Sequence, residues 1–181
     1  MKNIHTILKE RFSTVTFSNQ EVGKDKIDLL FEAACWAPSG YNGQPWRFLV
    51  GEKGKDENYQ KLFDSMVDAN KYWAKHAPVL VLGLALKNSE HNGKPNRFAE
   101  YETGMAVGNL LAQATSLGLY VHQMGGYSVE KIKESFNLNE NLQPLALMAI
   151  GYKADVSGFA DDLKQRELKP RTRKPVEDIL L

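Results

Sequence analysis

The chain has 181 residues, 43% of them hydrophobic and 10% aromatic, which suffices for one domain with a substantial core and excludes global disorder. Lys and Arg total 23 against 22 Asp and Glu, a net charge of +1, so nothing in the overall balance recruits nucleic acid or an anionic membrane. Met1 to Lys9 lacks a long apolar stretch, and Pro78 to Leu86, the longest apolar run, is too short to span a bilayer, so a soluble cytoplasmic protein is expected.

Ile4, Ile7, Leu8 and Arg11 fall at helical spacing, and a short amphipathic helix is expected over His5 to Phe12. Arg11-Phe12-Ser13 then leads into Thr14-Val15-Thr16, a β-branched run that predicts an extended segment. Asp25 to Trp36 carries Ile27, Leu30, Phe31 and Ala34 on one face of a helix, which Pro38 ends by disfavouring helical geometry at the residue before it. Cys35, the only cysteine, lies on this apolar helix and reads as a packed thiol rather than a reactive one. With four scattered histidines it gives no metal-ligand spacing.

Ala37 to Phe48 reads A-P-S-G-Y-N-G-Q-P-W-R-F, a Gly- and Pro-rich turn that also carries a hydroxyl, amides and an indole. Such a turn suits gripping something flat and polar-edged; the alternative is a rigid helix-to-strand connector whose Trp46 plugs the core. Arg47 to Gly51 is expected as a strand and Gly51 to Asn58 as a solvated turn. Tyr59 to Trp73 is expected as one core-facing helix, with Asn70 at the end of its stripe, capping the helix or bonding a local carbonyl. Pro78 to Leu86 has the pattern of a strand buried on both faces, followed by a loop over Asn88 to Asn96.

Asn96 to Leu117 is the longest helical candidate, with Gly104, Gly108 and Ala112 spaced by four so that another backbone can come close. Glycine inside a helix costs on the order of 1 kcal/mol relative to alanine, which implies a compensating contact. Gly118 is the expected C-terminal cap. Leu119 to Met124 predicts a strand running into Gly125-Gly126, Ser128 caps a helix through Phe136, and Leu145 to Tyr152 supplies a last strand. The polar tail from Lys153 carries Arg171, Arg173 and Lys174 before Pro175, either a solvated face or an arm returning to a phosphate.

A helix ending in AA-x-xAPS, then N-x-QPW, then a strand, resembles the flavin-binding signature of the nitroreductase family, here on Ala33, Ala34, Ala37, Pro38, Ser39, Asn42, Gln44, Pro45 and Trp46. Arg11, Ser13 and Phe17 resemble the family's R-R-S-x-R-x-F segment, from which the chain departs at the apolar Phe12 and Val15. R-T-R-K-P-V-E-D-I-L resembles its C-terminal phosphate clamp, on Arg171 and Arg173. The resemblance implies an α+β fold with a mainly antiparallel sheet flanked by helices, one FMN-binding domain over residues 1–181, and a homodimer built on the long central helix. It also implies an arm over about residues 153–181 that wraps the partner subunit. FMN at the dimer interface would be met by Arg11, Phe12, Ser13, Pro38, Ser39, Gly40, Asn42, Gln44, Asn70, Gly125, Gly126, Arg171 and Arg173. Gln44 is then a candidate for the pyrimidine end of the ring, and the Gly125-Gly126 N–H groups for its reactive edge.

The family's chemistry is ping-pong: NADH or NADPH gives a hydride to FMN and leaves, and a nitroaromatic, quinone or flavin takes the electrons. It needs no side-chain nucleophile and no metal. A flavin-storing protein on the same scaffold is the alternative, and a cofactor-free interaction domain a third reading. No GxGxxG fingerprint is present to choose between NADH and NADPH. The chain leaves little room for the helices that larger family members insert mid-chain, so a relatively open substrate mouth is expected.

Overall fold

Successive side chains of a strand face opposite ways, so a run such as Val79-Leu80-Val81-Leu82 needs an apolar layer on each side. The computed structural model describes residues 4–181, so Met1, Lys2 and Asn3 of the expected domain lie outside the described residues. Its sheet has strands β1 (Trp46–Glu52), β2 (Val79–Leu86), β3 (Tyr120–Met124) and β4 (Leu142–Gly151) in the order β1-β2-β4-β3, every neighbouring pair antiparallel. Val79, Val81, Met148 and Ile150 turn to one face, where helices α2 (Lys24–Cys35) and α5 (Ala99–Ser116) cover them with Ile27, Leu30, Ala34, Ala106 and Leu110. Leu80, Leu82, Leu84 and Leu147 turn to the other, under α3 (Glu57–Ser65), α4 (Asp68–Ala74) and α6 (Val129–Ser135). Each of these leucines is fully buried and contributes about 2 kcal/mol by transfer from water. The mixed fold with an antiparallel sheet between helical layers is the one expected from the sequence.

Pairing slips between Gly83 and Leu84, so that Leu145 is an extra residue in β4 and Pro144, which has no N–H, is accommodated beside it. Helix α5 begins where Asn96 Oδ1 accepts from the Phe98 N–H at 3.0 Å. It ends at Gly118, whose φ of 72° lets Leu119 N–H reach Ala114 O at 2.8 Å. Helix α1 (Thr6–Glu10) opens the described chain; the expected extended segment is interrupted by a bend at Val15, where the Thr16 N–H turns back to Thr14 Oγ1, and Phe17 bridges Lys153 just past β4.

Two expectations are corrected, and the tail holds one further element. Tyr59 to Trp73 is two helices, because Met66 and Val67 take extended backbone to bridge Tyr127 and to bond Gly126 O at 3.1 Å, contacts that one straight helix forbids. Cys35 is exposed: Ile27, Leu30 and Ala34 are the residues α2 turns inward, and Cys35 lies about 100° round the helix from Ala34. The tail contains helix α7 (Asp161–Leu168), which buries only Leu163 and Glu167. No helix among the described residues is long and apolar enough to cross a membrane.

Candidate functional site

Both ends of the described chain meet at one place. Arg11 closes α1 through its N–H to Ile7 O, and its guanidinium donates to Ser13 Oγ at 3.2 Å. Arg171, from the tail, donates to Lys9 O at 2.6 Å. Burial lowers the Arg11 pKa, and the nearby charges of Arg171 and Arg173 lower it further. Among the described residues none of the three guanidinium groups forms an ion pair; Arg173 donates only to Thr172 O. Phe12, where the family pattern has a cation, is the surface on which two cations rest: Lys153 Nζ lies 5.2 Å from its ring centre and the Arg171 guanidinium 5.7 Å. The apolar residue therefore gathers charge from later in the chain, which sequence reading missed because both partners are more than a hundred residues away.

Asn70 and Gly126 are also brought together. The Asn70 amide, on α4, donates to Gly126 O at 3.0 Å, a distant carbonyl rather than a local one. A Cβ at Gly126 would lie 2.6 Å from Asn70 Nδ2 and 2.9 Å from Val67 Cγ2, so a larger residue would displace the Asn70 amide from this contact. The Gly125 and Gly126 N–H groups donate to no acceptor among the described residues, which leaves two backbone donors for a ligand.

The Pro38 to Gln44 turn is held from within. Ser39 Oγ accepts the Gln44 N–H at 3.0 Å and Gly40 N–H donates to Glu102 Oε1 at 2.7 Å. The other oxygen of Glu102 accepts from Asn96 Nδ2 at 2.9 Å, so this buried carboxylate, unforeseen in the sequence, ties turn, hairpin and α5 together. A charge on the Ala99, Thr103, Ala106 stripe of α5 was the available signal. Tyr41, Asn42 and Gln44 all have φ between 43° and 55°, a left-handed run that costs non-glycine residues of order 1 kcal/mol or more each. Trp46 plugs the core, Tyr41 is wholly exposed, and the Asn42 side chain makes no hydrogen bond among the described residues.

These clusters do not close on one another within one chain. The turn enters the sheet at β1 and the glycine pair leaves it at β3, the two edges, about 14 Å apart across three strand spacings. No hydrogen bond or ion pair among the described residues joins the turn to the arginine cluster. Between β2 and α5 the chain forms only a short hairpin with an Asn88–Pro95 bridge, with no inserted helix.

His122, on β3, underlies the Ser13 segment. Its Nδ1 lies 2.8 Å from Thr14 O, and since a carbonyl only accepts, Nδ1 carries the proton. Burial depresses its pKa below the ordinary 6.5, against the opposing pull of the Thr14 carbonyl. The folded protein thus binds this proton less readily than the unfolded chain, so stability is unaffected well above 6.5 and is lost as pH falls through the folded value. The urea midpoint is expected to drop on acidification over that range, and His122→Asn to flatten the slope. The slope that persists belongs to His76, which burial depresses, helped by the charges of Lys75 and Lys53. An identical slope in His122→Asn would remove His122 from the account.

The sequence profile of the nitroreductase family matches residues 8–79 and 52–152. A crystal structure described as an oxidoreductase containing FMN superposes with a TM-score of 0.92 at 30% identity, covering 99% of this chain and 91% of that one. A Methanothermobacter thermautotrophicus protein with the provisional name NADH dehydrogenase/NAD(P)H nitroreductase is 28% identical over 85% of this chain and 79% of its own length. The Bacillus subtilis FMN reductase [NAD(P)H] is 25% identical over 91% of this chain and 72% of its own length.

Proposed function

The chain belongs to the nitroreductase family, and from that premise we propose that it is an FMN-dependent oxidoreductase taking electrons from NADH or NADPH and passing them to a nitroaromatic, quinone or free flavin. The observation that carries this reading is the meeting of Arg11, Arg171 and Arg173 with no acidic partner among the described residues. Three crowded guanidinium groups repel one another, and a phosphate among them relieves that repulsion while accepting paired hydrogen bonds. Ser13 completes this end with its hydroxyl, and Phe12 holds Arg171 in place from below.

FMN, when bound, supplies the reversible hydride chemistry. The chain's part is to hold and orient it. The free N–H groups of Gly125 and Gly126 are donors for the reactive edge of the ring, and Asn70 anchors the peptide that follows them through Gly126 O. Pro38, Ser39, Gly40, Asn42 and Gln44 supply the turn that covers the ring; the Gln44 amide makes only a long 3.4 Å contact to Asn42 O and is available for the pyrimidine end.

Because turn and glycine pair stand at opposite sheet edges, the turn is assigned to a second copy, and the working unit to a homodimer of two FMN-binding domains. Three features support this assignment. Trp36, just before the turn, and Tyr41, within it, are 79% and 101% exposed. Gly104 and Gly108 have open space where a side chain would be. Ile179, Leu180 and Leu181 at the end of the arm are bare.

Purified protein is expected to be yellow, to bleach on anaerobic addition of NADH or NADPH, and to oxidise the nicotinamide steadily when a nitroaromatic or quinone is supplied. Colour that persists with both nicotinamides would assign the chain to flavin storage instead. Colourless protein that gains no absorbance with FMN would overturn the reading altogether.

A further inference from the structure

The tail beyond α7 has no buried residue: positions 169–181 are all exposed. Arg171 and Arg173 nevertheless stand beside Arg11, held directly, among the described residues, only by the exposed Arg171 through Lys9 O and Phe12, which leaves the buried anchoring of the arm to the helix before it. Helix α7 has two buried residues, Leu163 and Glu167, one turn apart on one face. Leu163 supplies apolar burial, which fixes a helix against the core and leaves its rotation and slide loosely set. Glu167 is different in kind. Its carboxylate is buried, with side-chain exposure of 1%, and is met by three donors from two other segments. Oε1 accepts from Thr14 Oγ1 at 2.9 Å and from Lys153 Nζ at 2.9 Å, and Oε2 accepts from the Val15 N–H at 2.9 Å. The Thr14 hydroxyl is in turn fixed by the Thr16 N–H at 3.1 Å, and the Thr14 carbonyl by His122.

Burying a carboxylate is costly unless its acceptor sites are filled in good geometry, and here they are. What the arrangement gains over an apolar contact is direction. It fixes a residue four positions before Arg171 to the segment that begins one residue after Ser13. It also engages Lys153 without engaging any of the three arginines, whose charge is thereby left for an external anion.

We propose that Glu167 is a positioning residue that joins the C-terminal arm to the N-terminal segment and so assembles the phosphate end of the flavin site, an inference that rests on the function proposed above. It does not touch the cofactor; it sets where Arg171 and Arg173 stand relative to Arg11 and Ser13.

The test compares two ligands that differ only by the phosphate. Full-length protein stripped of flavin is titrated with FMN and with riboflavin, following quenching of flavin fluorescence, for the wild type, Glu167→Gln, Arg171→Ala and the double variant. Glu167→Gln is expected to weaken FMN binding about tenfold, the scale of one hydrogen bond to a charged group, and to leave riboflavin binding unchanged. In the Arg171→Ala background it should have a much smaller effect, because the two act through one phosphate contact. Equal losses for both ligands, or full additivity, would reduce Glu167 to a general stabiliser and overturn the proposal. Should Glu167→Gln fail to fold, Thr14→Val removes one of the three donors without touching a charge, and the same phosphate-selective loss is expected at smaller size; its absence overturns the proposal too. Wild-type protein that binds neither ligand defeats the flavin reading itself, whereas wild type that prefers FMN with variants of unaltered preference defeats this inference alone.

Discussion

Replacing Arg171 with alanine is expected to yield protein that purifies with little or no flavin. A hydrogen bond to a charged group is worth about 1.5–3 kcal/mol, so losing one guanidinium contact to phosphate weakens binding by about 10- to 100-fold. Removing Arg11 as well is expected to compound the loss, since under the proposed function both would hold the same phosphate from opposite ends of the chain. Lysine at position 171 should restore only part of it, as an ammonium lacks the planar pair of donors. A control separates this loss from simple damage. The three guanidinium groups have no acidic partner among the described residues, so the flavin-free Arg171→Ala protein should unfold at a temperature equal to or above that of flavin-free wild type. A variant that stays yellow with unaltered FMN affinity would show that the arginines serve some other purpose.

The second large effect is expected at Glu102. Its two oxygens hold the Gly40 N–H and the Asn96 amide, and the turn they steady carries three non-glycine residues in left-handed backbone. Glu102→Ala leaves two donors without their acceptor and removes the restraint that opposes relaxation of Tyr41 and Gln44. The loss in unfolding free energy is expected to be about 2–4 kcal/mol, from two hydrogen bonds to a buried charge. Glu102→Gln, which retains one acceptor for Gly40, should be milder. Amide exchange at Gly40, Tyr41 and Asn42 is the sensitive measurement: it should accelerate in Glu102→Ala more than exchange in β2 does. If the turn exchanges as slowly as in wild type, its shape is fixed by Ser39 and its prolines alone.

Much of this was legible in the residue order. The break of α2 at Pro38, the doubly buried β2, the Gly118 cap of α5 and the Ser128 cap of α6 each depend on contacts within a few residues, or on a burial pattern that a short run displays in full. The resemblance likewise gave Arg11, Arg171 and Arg173 as a set before any geometry placed them together. Other features had no local trace. The extended Met66-Val67 step exists to pair with Gly126 and Tyr127, and the propensity of the Tyr59 to Trp73 stretch says nothing of a partner sixty residues on. Cys35 sits on a helix whose inward arc is narrower than its apolar content suggests. Helix α7 is mostly polar, and only two of its residues face inward.

By itself, then, the order of residues determined most of the elements and ends, though neither the α3–α4 break nor α7, and the chemical character of each cluster, because propensity, capping and periodicity act over one or two turns of chain. Only the tertiary structure decided which clusters meet. Glu167 on Val15, Glu102 on Gly40, Arg171 over Phe12 and Asn70 on Gly126 are directed contacts between segments 56 to 159 residues apart. Their geometry follows from how the sheet stacks its helices and from no pattern along the chain.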